Sequence, residues 1–225
     1  MTIERPTVAP ETIGAIILCG GHSTRMGRDK ATLPFGNETL LARIVRLVRS
    51  AATGRIIVVV GANFNADHYR AMCEELPASV EFVKDEIPDS GPLEGLRCGL
   101  SALSHDTETA FVCSCDMPLL QPSIILQLCS MLKKQPPEIV AVVPEVQGQL
   151  HPLCAVYRTS TATMAASLLA KGERRLRAFV QALNVHRIGE DELKHADPEL
   201  ISLVNCNTPI DYETALRRAE GSGSC

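Results

Sequence analysis

Two groups of residues in this sequence have types and spacings suited to phosphate chemistry. The first is a glycine-rich string, Leu18, Cys19, Gly20, Gly21, His22, Ser23, Thr24, Arg25, Met26, Gly27, Arg28, Asp29, Lys30, directly after the apolar run Ile13 to Leu18. Glycines let backbone N–H groups approach phosphate oxygens closely, and Arg25 and Lys30 add fixed positive charge. The second is Asp116, which closes the apolar run Phe111 to Cys115 and stands before Met117 and Pro118. A proline biases its predecessor to extended backbone, so the aspartate is displayed at a strand end, where a carboxylate either holds Mg²⁺ or caps the next turn. Asp85, after the run Val80 to Val83 and shortly before Gly91, Pro92, Leu93, Glu94 and Gly95, reads alone as a plain loop aspartate.

The elements that must position these groups follow from hydropathy. Ile13 to Leu18, Arg55 to Val60, Val80 to Val83, Ala110 to Ser114 and Ile139 to Val143 are short, β-branched-rich runs of the buried-strand type. Leu153 to Tyr157, Val185 to Ile188 and Ile201 to Val204 read as further strands. Between them, Leu40 to Val48 carries apolar residues at helical spacing with Arg43, Arg46 and Arg49 interleaved on the other side. Leu93, Leu96, Leu100 and Leu103 mark a second helix, and Ile124, Ile125, Leu128 and Leu132 a third, starting near Pro122. Thr161 to Ala170, Glu173 to Leu183 and Pro209 to Ala219 complete the helices. Such alternation predicts an α/β chain, a single Rossmann-like domain with a mostly parallel sheet and helices on both faces. In open sheets of this kind ligands sit outside the carboxyl ends of the strands, which is where both groups fall.

Composition narrows the function classes. The 225 residues are 45% hydrophobic, enough for one core, which is expected over residues 13–219 between a flexible segment 1–12 and a disordered tail 220–225. A net charge of −4 with mixed signs supplies no basic stripe for nucleic acid. No apolar run reaches the roughly 18 residues of a membrane span, and residues 1–12 lack a signal-type apolar core, so a cytoplasmic chain is expected. Nine cysteines without a CxxC pair read as reduced, mostly buried thiols; Cys113 and Cys115 share a strand face but lack a second ligand pair. The loop lacks the GK[ST] ending of a P-loop and the GxGxxG order of a dinucleotide fold, which disfavours an NAD-type oxidoreductase.

The string Gly20, Gly21, Arg25, Met26, Gly27, Asp29, Lys30 resembles the signature of molybdenum cofactor guanylyltransferases, the MobA-like nucleotidyltransferase family. CDMP at Cys115 to Pro118 resembles that family's CDxP metal motif, and Asp85 with Gly91 to Gly95 its aspartate followed by GPLxG. Asn205, Cys206, Asn207, Thr208 and Pro209 resemble its late NxNTP motif, His151 and Pro152 an HP pair, and Gly172 to Arg175 a segment on the pterin side. Where some members carry Asn after the second strand this chain has Gly61, with Asn63 two residues later.

The resemblance runs from about Ile13 to Asp211. It implies a nucleotide-diphospho-sugar transferase-like fold and transfer of GMP from GTP to molybdenum-molybdopterin, with Mg²⁺ as cofactor. Arg25, Lys30 and Asp116 would be catalytic, Asp116 the metal ligand, and Leu18, Cys19, Gly20, Gly21, Lys30, Asp85 and Asp116 the substrate-binding set. It further implies a monomer making transient contacts with molybdopterin-synthesis proteins and acceptor molybdoenzymes. The alternatives are a relative using CTP or another phosphate or sugar-phosphate acceptor, and a non-catalytic GTP-binding module that delivers cofactor.

Overall fold

Parallel β-strands built from β-branched residues set the architecture. A computed structural model describes residues 12–19, 30–61, 69, 76–77, 79–87 and 91–221. Residues 1–11 of the expected flexible segment 1–12, residues 20–29 and residues 222–225 lie outside the described residues. In chain order the elements are β1 (Ile13–Cys19), β2 (Pro34–Phe35), β3 (Glu38–Thr39), α1 (Leu40–Arg49), β4 (Ile56–Val60) and β5 (Val80–Lys84). Then come α2 (Pro92–Leu103), β6 (Thr109–Ser114), α3 (Pro122–Lys134), β7 (Ala141–Val146), β8 (Gln149–Leu150) and β9 (Cys154–Arg158). The chain continues through α4 (Ala162–Ala170), α5 (Leu176–Ala182), β10 (Val185–Ile188), α6 (Glu190–Leu193) and α7 (Pro209–Gly221).

The main sheet runs β10-β7-β9-β6-β1-β4-β5, with β8 pairing β7 at one end. β1 pairs in parallel with β4 and β6, β4 with β5, and β10 with β7, whereas β9 is antiparallel to both β6 and β7. Because β9 reverses direction twice over, β7 and β10 regain the direction of β6. The carboxyl ends of β1, β4, β5, β6, β7 and β10 therefore share one edge.

Side chains alternate between the two faces of a strand, and β1 shows it directly. Ala15, Ile17 and Cys19 pack on one face with Ile44, Val45 and Val48 of α1 and Ile124 and Leu128 of α3. Ile16 and Leu18 pack on the other with Leu96 and Leu100 of α2 and Phe179 of α5. At roughly 25 cal/mol per Å² of apolar surface removed from water, these two layers supply the main stabilisation. A third, small cluster of Phe35, Leu40, Leu119, Cys206, Ala215 and Ala219 fastens the β2-β3 hairpin and α7 beside the ligand edge.

The structure corrects four details of the sequence reading. Ile201 to Val204 is not a strand: Ile201–Leu203 is a 3₁₀ turn, because the buried Asp197 carboxylate accepts from the N–H groups of Ile201 (3.1 Å) and Ser202 (2.7 Å). Amides captured in that way are withdrawn from any ladder. Helix α5 begins at Leu176 rather than Glu173, since the Glu173 carboxylate accepts from the N–H groups of Arg174 and Arg175, each at 2.9 Å. Glu220 and Gly221, expected in the tail, continue α7. Arg43, expected on the outer side of α1, is buried at 3% exposure.

The seven described cysteines are buried and form no disulfide. Burial pushes the Cys154 thiol up to about 12 and Cys113 well above its usual value, so these are inert, protonated side chains. Among the described residues no helix is long and apolar enough to cross a membrane.

Candidate active site

The site grows from the adjacent ends of β1 and β6. Their ladder runs one residue past β6, where Cys115 N–H donates to the Leu18 carbonyl at 3.1 Å, and the chain then turns away at Asp116. The turn is fixed from behind: Cys206 N–H donates to the Asp116 carbonyl at 2.8 Å and Leu120 N–H to the Met117 carbonyl at 3.1 Å. That leaves the Asp116 carboxylate facing the ligand edge. Its Oδ1 accepts from the Ser114 hydroxyl, and its Oδ2 lies 3.1 Å from Lys30 Nζ. Lys30 Nζ also donates to Asn207 Oδ1 at 3.0 Å. Lys30, Asp116 and Asn207 thus meet from three distant stretches of chain.

Asn207 is available for this contact because the helix behind it is capped by others. Thr208 Oγ1 accepts from Asp211 N–H at 3.2 Å, while Asp211 Oδ2 accepts from the N–H groups of Asn207 (3.1 Å) and Thr208 (2.8 Å). This reciprocal arrangement satisfies the first donors of α7 without the Asn207 side chain. Asn205 is exposed two residues earlier. Cys206, between the two asparagines, has its thiol pushed up to about 12 by burial and then by Asp116, so it is no thiolate ligand at neutral pH.

The residues fit a hard divalent cation. Asp116 Oδ2, Asn207 Oδ1 and the Ser114 hydroxyl are all oxygen donors, the class that Mg²⁺ takes, and Mg²⁺ needs only one or two protein carboxylates beside substrate phosphates and water. Among the described residues no group of three or more His, Cys, Asp or Glu gathers at one point, which disfavours a closed structural metal cage.

Asp85 occupies a second position on the same edge. Its N–H donates to the Val60 carbonyl at 2.9 Å, so it extends the β4-β5 ladder by one residue. Three strand spacings separate β5 from β6, placing Asp85 about 14 Å from Asp116, the scale of a bound nucleotide. Asp85 Oδ1 is buried without a hydrogen-bond partner and lies 3.2 Å from where a Cβ on Gly95 would stand. A side chain at position 95 would crowd the carboxylate by a few tenths of an ångström. Burial pushes the Asp85 carboxyl up to about 6, the neighbouring Glu94 charge adds to the rise, and Arg97 opposes it.

Glu94 itself is 0% exposed and held by Arg97 through two contacts of 2.8 Å, with Arg97 reaching Glu86 at 2.7 Å. At the start of α2, Gly91 takes φ 74°, a left-handed conformation natural to glycine, and Pro92 occupies the first turn. An orphaned buried acceptor at a ligand edge is a place for an incoming donor.

The remaining sequence candidates fall as follows. Leu18 and Cys19 end β1, nearly buried, with their backbone at the edge. Gly20, Gly21, Arg25, Met26, Gly27, Asp29 and Asn63 lie outside the described residues. Gly61 closes β4 with open space around its Cα. His151 is half-buried just before β9, its imidazole pushed below the usual range by burial, and the following Pro152 carbonyl accepts from the Tyr157 hydroxyl at 2.9 Å. Arg175 pairs with Glu173 at 2.7 Å on the surface, and the Arg174 carbonyl lies beside Gly91. Sequence reasoning missed Ser114, Arg43 and the Glu94–Arg97 pair. For the last, the only available signal was the (i, i+3) spacing of opposite charges inside an apolar helix.

Comparison with known proteins identifies the family and the fold. Residues 15–188 match the MobA-like NTP transferase domain. A Chloroflexus aggregans protein named "Probable molybdenum cofactor guanylyltransferase" is 36% identical over 204 residues, covering 89% of this chain and 92% of its own. A Methanosarcina mazei protein of the same name is 32% identical over 211 residues, covering 92% and 91%. Among solved structures, molybdopterin-guanine dinucleotide biosynthesis protein A from Archaeoglobus fulgidus superposes with a TM-score of 0.77 at 24% identity, covering 92% of this chain and 99% of that one. The 4-diphosphocytidyl-2C-methyl-D-erythritol synthase of Anaerococcus prevotii superposes at 0.69 with 15% identity, covering 93% and 96%. At those identities the structural likeness establishes the fold, a nucleotide-diphospho-sugar transferase-like α/β domain.

Proposed function

The chain belongs to the MobA-like NTP transferase family, and from that premise we infer that it transfers GMP from GTP to molybdenum-molybdopterin, giving the guanine dinucleotide form of the cofactor and pyrophosphate. The observation that carries this reading is the meeting of Lys30, Asp116 and Asn207 at the edge where β1 and β6 end. The relatives' names supply the substrate identities.

In the reaction, an oxygen of the acceptor's terminal phosphate attacks the α-phosphorus of GTP. The bond from the α-phosphorus to the β-phosphate oxygen breaks, and that oxygen leaves with pyrophosphate. Both reactants are anions, so the protein contributes mainly positioning and charge stabilisation. Lys30 exchanges Asp116 Oδ2 for phosphate oxygens and stabilises the charge that develops on them. Arg25 and the backbone N–H groups of Gly20 and Gly21, which lie between β1 and Lys30 in the sequence, would add donors to the same phosphates. Asp116, with Asn207 Oδ1 beside it, would hold Mg²⁺, which would supply neutralisation of the phosphate charge. Asp85, with its orphaned Oδ1, accepts from N–H donors of the nucleotide.

The test is pyrophosphate release by purified protein with Mg²⁺ and molybdenum-charged pterin, comparing GTP with CTP, UTP and ATP. Release with GTP alone is expected. Release with CTP instead would assign the chain to cytidylyl transfer, and GTP binding without release would make it a carrier.

A further inference from the structure

Arg43 connects the turn that carries Asp116 to helix α1 and the β2-β3 hairpin. The turn from Asp116 to Leu120 is held at three successive carbonyls: Asp116 by Cys206 N–H, Met117 by Leu120 N–H, and Pro118 by Arg43 Nε at 2.7 Å. Two of these donors are backbone groups, and the third is a buried side chain 75 residues away. Arg43 Nη1 lies 3.3 Å from Glu38 Oε1, and its guanidinium sits 4.7 Å from the centroid of the Phe35 ring. Glu38 also binds Arg46 at 2.6 Å, and Thr39, next in the chain, caps α1 by accepting from Ala42 N–H at 3.2 Å. The arginine therefore has a fixed base from which to hold the turn.

Burying a guanidinium is costly, and an apolar side chain of similar shape packs such a place at least as well. What an apolar side chain lacks is the N–H that reaches Pro118. We propose that Arg43 is a positioning residue: through the Pro118 carbonyl it sets the turn that presents the Asp116 carboxylate to the divalent cation. This rests on the reading of Asp116 as the metal ligand.

The test exploits side-chain shape. Glutamine places its Nε2 where arginine places Nε, and methionine places a methyl there, so R43Q and R43M differ at that point in the donor alone. Both remove the charge and leave Glu38 paired with Arg46. Glu38, Arg43, Arg46 and Pro118 line a cavity of about 680 Å³, so water has room to enter beside a truncated side chain.

Mn²⁺ is titrated into each folded variant by calorimetry, without nucleotide, and GTP binding is measured in EDTA. R43M is expected to bind Mn²⁺ roughly tenfold more weakly, the scale of one lost buried hydrogen bond, while R43Q stays within about twofold of the parent protein. GTP binding in EDTA is expected to be unchanged in both. Equal Mn²⁺ affinities in folded R43M and R43Q overturn the proposal. If R43M fails to fold, E38Q, which leaves the Nε bond in place, must keep the parental Mn²⁺ affinity; a tenfold loss there assigns the effect to the charge pair and also overturns it. D116N separates the underlying reading: parental Mn²⁺ affinity in that variant refutes Asp116 as the ligand, whatever Arg43 does.

Discussion

Lys30 Nζ and Asp116 Oδ2 lie 3.1 Å apart, although 86 residues separate them, and only 16% of each side chain is exposed. The pair is a cation and a carboxylate held together at the ligand edge, where each can be given up for a phosphate or a metal ion. Lys30→Met removes the cation while keeping most of the stem. Pyrophosphate release is expected to fall by roughly 10² to 10³, the scale of losing one preorganised donor to a developing charge. The variant is expected to remain folded in a thermal melt, since Asp116 still accepts from the Ser114 hydroxyl. Near-parental turnover in a folded variant refutes the role given to Lys30.

Asp116→Asn keeps the size of the side chain and loses its charge. Activity is expected to fall by roughly 10² to 10³, and the residual rate to show no response to Mg²⁺ over the range that saturates the parent enzyme. A variant that titrates with Mg²⁺ as the parent does would place the metal on other groups.

Asp85 yields a pH-dependent stability prediction. Its carboxyl is raised from 3.8 to about 6 in the folded protein, so the folded state binds that proton more tightly than the unfolded chain. Stability from this group is therefore full below about pH 4 and is lost as pH rises through about 6. Asp85→Asn carries no such penalty. Thermal melts are expected to show the variant more stable by about 1 to 2 kcal/mol near pH 7.5, with the advantage gone near pH 4. The same variant is expected to bind nucleotide more weakly, because an amide replaces an acceptor carboxylate. An advantage independent of pH would show that the carboxyl is not strained by burial and by Glu94.

Gly99→Ala probes the packing of α2 on β1. A Cβ there would stand 2.5 Å from Ile16 Cγ2 and 3.1 Å from its Cγ1 and Cδ1, in the fully buried layer. Alanine favours helix by about 1 kcal/mol over glycine, but overpacking costs about 1 to 3 kcal/mol. Denaturant titration is expected to show net destabilisation with turnover unchanged at low temperature. A stabilised variant would mean that Ile16 repacks freely.

Much of the fold was legible because strand and helix periodicities are local. Ile56–Val60 and Thr109–Ser114 declare themselves by unbroken apolar runs, and Leu93, Leu96, Leu100 and Leu103 by their spacing. Strand direction is not local: nothing in Cys154–Arg158 says that it runs antiparallel between β6 and β7. The Ile201 turn was misread because its apolar run looks like a strand until the Asp197 carboxylate, four residues earlier, claims its amides. Arg43 was placed outward because a helical stripe with arginines between apolar residues ordinarily solvates them. Its burial depends on Glu38, Phe35 and Pro118 being brought around it.

The sequence by itself determined the α/β alternation, the strand ends that carry Asp85 and Asp116, and the motif order that points to nucleotidyl transfer. Each of these is written in short windows of chain. Only the tertiary structure decided that Lys30 pairs with Asp116 and Asn207, across 86 and 177 residues, and that Asp85 stands three strands away with an unsatisfied oxygen. Those relations follow from the order in which strands join the sheet, and strand order is settled by the packing of both faces at once, which no local pattern records.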